Sequence, residues 1–215
     1  LTRNWAYFVL IFDIKYAIFM PKIPLIASLN IYLFFKTSNK MEFNFENLDE
    51  HTRSAMISEV KTDIDRKEIY YSKRFTKYGR IKYLDLLLDA VISGNEQTLA
   101  KSIKFNYCFV ETEKREGKNG IIRANIPKNA NEIFAESEFN RFYIRALAKI
   151  AISTNRGLTI YRAKQSKTPR PESELLIGKS IDPVNVLYDL RNNIGVDTAL
   201  GLPAGPNSGL SVRLN

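Results

Sequence analysis

Residues 131–154 read Asn131-Glu-Ile-Phe-Ala-Glu-Ser-Glu-Phe-Asn-Arg-Phe-Tyr-Ile-Arg-Ala-Leu-Ala-Lys-Ile-Ala-Ile-Ser-Thr154, with neither proline nor glycine. Phe134, Phe139, Phe142, Tyr143, Ala146, Leu147 and Ile150 recur at threes and fours, which predicts one long helix with a broad buried face. On its other side Glu138, Arg141, Arg145 and Lys149 also fall three and four apart. That spacing predicts a solvent-facing surface laced with ion pairs of about 0.2–0.5 kcal/mol each. So long an apolar face needs several partners, and the flanking sequence offers them.

Upstream, Asn47-Leu-Asp-Glu50 has capping-box spacing, and Leu48, Met56, Ile57, Val60 and Ile64 predict a helix over about 48–66. Thr76 can cap a second helix whose stripe is Ile81, Leu84, Leu87, Leu88, Val91 and Ile92, ending at Gly94. Asn95 can cap a third, through about Lys104. Tyr107–Lys114 and Ile121–Ile126 are β-prone and flank a turn near Asn119-Gly120, so they predict a hairpin, with Cys108 as a small core residue in its first strand. Downstream, Leu158–Ala163 alternates as a strand, Asp182-Pro183 opens a helix running to Asn193, and Gly209–Leu214 can close as a last strand. The glycine-rich stretch between 195 and 209 lacks the Lys-Ser/Thr and the following helix of a phosphate cradle, and reads as tight turns. The fold class expected is α+β, with helices packed around a small, mainly antiparallel sheet.

Composition excludes several functions. A single Cys108 and a single His51 among 215 residues permit no internal disulfide and no Cys/His zinc site, and His51, early in a helix, reads as a surface residue. No Walker loop, dinucleotide fingerprint or metal motif is present, so no cofactor is expected and a non-enzymatic role is favoured.

Residues 1–40 stand apart, with 25 apolar residues and nine of the chain's 25 aromatics. Asp13, Lys15, Pro21 and Pro24 break every run short of the roughly 18 apolar residues a spanning helix needs. The segment is expected to be translated upstream DNA or a hydrophobic extension, with Met41 opening a single domain over 41–215, and no membrane contact is expected unless the segment is real. Without it, 27 bases face 22 acids, a mild excess.

Two polar clusters are candidate sites. Tyr70–Tyr83 holds Lys73, Arg74, Lys77, Arg80 and Lys82 interleaved with rings and no acid. Bases that neutralise phosphates beside rings that stack on nucleobases, here Tyr71 and Phe75, are the ingredients of single-strand binding. Nearby Asp63, Asp65, Glu68 and Asp85 also fit a solvated basic face, so any such binding is expected to be weak. The second cluster gathers Arg141, Arg145, Arg162, Lys164, Arg170, Glu172 and Glu174, with the two glutamates expected to pair with Arg141 or Arg145.

The stretches Glu138-Phe-Asn-Arg141-Phe-Tyr-Ile-Arg145, Tyr161-Arg-Ala-Lys164, Pro169-Arg-Pro-Glu-Ser-Glu174, Asp189-Leu-Arg191 and the ending Gly195–Leu214 resemble a group of small, uncharacterised bacterial and prophage-encoded proteins. The likeness runs from about 48 to 214. It implies a bacterial or phage setting, cytoplasmic synthesis and a place in a phage particle, and it supplies no activity or site residues. Two functions follow as expectations. The first is a structural or assembly protein of phage or mobile-element origin, with itself or other phage proteins as partners. The alternative is a nucleic-acid-binding accessory protein using segment 70–83.

Overall fold

The computed structural model describes residues 42–118, 120–166, 168–194, 200 and 208–215. The readings of residues 1–40 and of the glycine-rich stretch lie outside them, as do Lys167 and Asn119. The described elements are α1 (Glu50–Arg66), α2 (Lys77–Ser93), α3 (Glu96–Phe105), β1 (Thr112–Gly117), β2 (Gly120–Asn125), α4 (Ala130–Thr154), β3 (Leu158–Arg162), α5 (Pro171–Glu174), β4 (Ser180–Ile181), α6 (Pro183–Asn192) and β5 (Leu210–Leu214). The α+β class is observed: six helices pack with an antiparallel hairpin β1-β2 and an antiparallel sheet of order β4-β3-β5. Among the described residues no helix is long and apolar enough to cross a membrane.

Helix α4 is the axis of the molecule. Helices α1, α3 and α6 and strands β3 and β5 all pack on it. From 138 to 148 it is therefore covered on every side, and of the expected solvent-facing surface only Lys149 reaches water: Glu138, Arg141 and Arg145 are buried. Glu138 pairs with Arg141 within the helix, and the arginines meet acids from α1, whose core face carries Glu59 and Asp63 beside Met56 and Val60.

The caps follow the residues that can supply them, since a side-chain oxygen there satisfies an orphan N–H of the first turn. Thr76 accepts from Gly79, Asp182 from Val184, and Asn95 with Thr98 forms a full capping box. At α1 the cap is Asp49, which accepts from the Thr52 N–H at 2.8 Å, and not Asn47. The Asn47 side chain instead accepts from the Leu214 N–H and ties the entering chain to β5. Helix α2 is rotated from its expected stripe. Tyr83, Leu87, Ala90 and Val91 face inward while Ile81 and Ile92 are exposed, because Gly79 brings the backbone onto the Cys108 carbonyl and Tyr83 then meets Phe134.

The hairpin also starts later than expected. Tyr107 adopts a left-handed φ of 50°, which ends α3 in a tight loop, and Cys108 is buried in that loop and not in a strand. Phe109 makes one isolated antiparallel bridge with Phe75 before β1 begins at Thr112. From there the register runs from Thr112↔Asn125 to Gly117↔Gly120.

Candidate nucleic-acid interface

The loop Asn106–Val110 joins the end of α3 to the hairpin and is clamped to the start of α2. The Thr76 N–H donates to the Cys108 carbonyl at 2.8 Å, and the Val110 N–H to the Arg74 carbonyl at 2.8 Å. These bonds bring three segments together: Lys73–Lys82, the last turn of α3, and the hairpin with its exit through Lys128. Charge is concentrated there. Residues 69–128 hold twelve bases and six acids, whereas the other 115 residues of 41–215 hold 15 bases and 16 acids. All of the net positive charge of 41–215 therefore comes from this region.

Within the expected basic segment, Lys73, Lys77 and Arg80 are exposed, Arg80 lying over the Tyr71 ring at 5.5 Å. Lys82 makes only a long contact of 3.9 Å with Asp85. Arg74 is committed to structure: its guanidinium grips Glu113 at 2.8 and 3.1 Å. With Arg115 it pulls the Glu113 carboxyl down to a pKa of about 2.

The rings expected to stack on bases point the other way. Phe75 is buried among Tyr71, Tyr83, Phe109 and Phe134, and Tyr71 is half-buried edge-on to Phe75 and Tyr83. Burying such a ring gains more than leaving it in water, so a helix entrance rich in aromatics turns them into the core. Phe75 is closed to a base, whereas Tyr71 keeps part of its ring in water beside Arg80. Other rings here stand in water: Phe105 is 82% exposed, Tyr107 83% and Tyr78 51%. Phe105 and Tyr107 lie two residues apart and follow Lys101 and Lys104, which are exposed and have no carboxylate partner among the described residues. Sequence reading missed this group, although Lys101-Ser-Ile-Lys104-Phe-Asn-Tyr107 carried its signal of two bases and two rings in seven residues. Beyond it the hairpin pairs with no other strand among the described residues and exposes Ile121 and Ile122 between Lys118 and Arg123.

The second expected cluster divides into three. Arg145 bonds Asp63 through both terminal nitrogens at 2.7 and 2.6 Å and Glu59 through Nε at 2.9 Å. Arg141 pairs with Glu138 at 2.8 Å, and Arg191 and Lys149 reach Glu59 from the rim at 2.6 and 3.2 Å. Burial would raise the Glu59 carboxyl, but its bonds to Arg191 and Arg145 hold it below the ordinary value. Glu138, more deeply buried, is raised despite Arg141. Elsewhere Arg162 bonds Ser173, Glu174 and the Ser208 carbonyl, and Lys164 pairs with Glu136. Glu174 thus pairs with Arg162 across the β3–α5 corner, not with Arg141 or Arg145, which the α1 acids already occupy. Glu172 is exposed, and the Arg170 carbonyl accepts from Ser173 in the turn that opens α5. Every charge of this interior has an opposite charge beside it, although Nε and Nη1 of Arg141 and Nε of Arg162 find no acceptor among the described residues, and such a network serves packing and register. Among the described residues no group of His, Cys, Asp and Glu is arranged to hold a metal ion.

No family model, curated protein or solved structure matches the chain.

Proposed function

We propose that this chain is a non-enzymatic accessory protein that binds single-stranded nucleic acid through the surface formed by α2, α3 and the hairpin. The observation that carries the reading is the exposure of Phe105 and Tyr107 beside Lys101 and Lys104. Large rings left in water beside unpaired bases suit a ligand that offers flat apolar faces and regular negative charge, which is the chemistry of an unpaired strand. Lysine is depleted in the cores of protein interfaces, which makes a protein partner the poorer fit there. Salt titration of strand binding by fluorescence anisotropy tests the reading. Affinity should fall with a log–log slope of about −0.7 per phosphate neutralised. Changing Lys101 and Lys104 to Ala should flatten the slope by about 0.7 for each phosphate left without its lysine. A parent protein whose binding ignores salt would end the proposal.

A role in assembly, as a phage-related structural protein, is favoured by a different observation: the free edges of the β1-β2 ribbon with Ile121 and Ile122 exposed. Unpaired apolar edge strands invite pairing with another chain. Light scattering across a concentration series tests it, with Ile121→Lys expected to abolish any dimer. A parent that stays monomeric at high concentration, with no partner recovered from phage lysates, would count against it.

A further inference from the structure

A cleft of about 270 Å³ opens beside Tyr107, between the last turn of α3 and the root of the hairpin. Ile103, Val110, Ile126 and Pro127 form its apolar lining, Lys104 and Lys128 also line it, and its polar groups include Glu111 and Asn131. This volume falls below the roughly 300–1,000 Å³ of pockets that hold drug-sized ligands, and it suits one small flat ring system. The Glu111 side chain has no hydrogen-bond or ion-pair partner among the described residues. Asn131 donates one of its two amide N–H groups to the Ala100 carbonyl at 2.9 Å, and its Oδ1 has no donor among the described residues. The Glu111 carboxylate is thus the cleft's one group that can only accept, while Asn131 keeps a second amide N–H and Tyr107 its hydroxyl.

We infer that this cleft receives one unstacked base of the bound strand and selects a base with an exocyclic amino group over thymine or uracil. The inference rests on the nucleic-acid reading above and names what the site prefers. Adenine N6 and cytosine N4 present N–H donors, which the Glu111 carboxylate and Asn131 Oδ1 can accept. Thymine and uracil place a carbonyl oxygen at the corresponding position, and an oxygen facing an ionised carboxylate is repelled. Lys104 and Lys128 are set to meet the phosphates that flank such a base.

The test compares equal-length homopolymeric DNA strands of dC, dA and dT by fluorescence anisotropy at low salt. The deciding pair is dC against dT, whose rings have the same size. The strand of cytosines should bind about tenfold tighter. Glu111→Gln, on an exposed side chain, should bring the ratio close to one, because an amide accepts from cytosine and donates to thymine alike. Equal binding of dC and dT by the parent, or a preference unchanged in Glu111→Gln, would overturn the base selection and leave strand binding standing. Absence of binding to every strand would overturn both.

Discussion

Arg145 on α4 closes a two-pronged bond on Asp63 of α1, at 2.7 and 2.6 Å, with both side chains buried. The same guanidinium holds Glu59, so a single cation answers two interior carboxylates. Removing it leaves Asp63 with Arg141 at 3.8 Å and Glu59 with its rim partners Arg191 and Lys149: Arg145→Ala should cost about 3–5 kcal/mol in urea unfolding, far more than a lost surface pair. Replacing the whole group, Arg145→Met with Glu59→Gln and Asp63→Asn, should recover most of that loss, since no charge is then buried alone. Lys149→Ala, half in solvent, should change stability by less than about 1 kcal/mol.

Gly79 sits where α2 crosses the Cys108 loop. A Cβ there would drive into the Cys108 backbone carbonyl, which cannot yield without breaking its bond from the Thr76 N–H. Gly79→Ala should therefore destabilise the fold by roughly 1–3 kcal/mol by overpacking, although alanine is the better helix former. A thermal melt checks the sign, which propensity alone would give the other way round.

Legibility from sequence divides along the same lines. Caps at Thr76, Asn95 and Asp182 and the long apolar period of α4 were legible because they depend on neighbours within one turn. The fate of Arg141 and Arg145 was not, because Glu59 and Asp63 lie far upstream on another helix, and periodicity says which residues share a face but not what covers it. Glu59 and Asp63 did carry a hint, four apart and flanking Val60 on the core side of α1. The candidate site was half legible. Its bases were found in segment 70–83, but the rings were assigned outward where the core claims them, and the exposed rings stood one helix further on. An aromatic just before Cys108-Phe109-Val110 reads as core until the left-handed turn at Tyr107 is seen.

Glu96 gives the pH dependence its sign. Its side chain is buried, with Oε1 accepting from the Phe43 N–H at 3.3 Å and Oε2 unbonded among the described residues. Burial raises its carboxyl above the ordinary value, and Glu136 and Glu42 add to this against the backbone N–H groups of Glu96 and Phe43. A carboxyl raised on folding contributes stability that is complete below its unfolded pKa and is lost as pH rises through the folded one. Glu96→Gln should accordingly be more stable than the parent at neutral pH, with the gap closing as pH falls through the raised folded value and closed below about 4. Denaturant unfolding at both pH values measures it, and a variant weaker than the parent at neutral pH would show that the ionised form is favoured there.

Tyr107 sets stability against binding. A left-handed φ at a residue with a Cβ costs roughly 1–2 kcal/mol, and here the ring recovers nothing by burial, being 83% exposed. Tyr107→Gly should thus raise the unfolding free energy by about 1 kcal/mol, since glycine adopts this conformation without strain and loses only part of the gain to its freer unfolded chain. The same change should weaken strand binding by about 1–3 kcal/mol while leaving the salt slope unchanged, because it removes a stacking surface and no charge. Phe105→Ala, at a helical position without strain, should lose binding with no such gain in stability. If Tyr107→Gly were stabler and bound strands as tightly as the parent, the ring would not be part of the interface, and the strained turn would serve only to deliver Cys108 to the core.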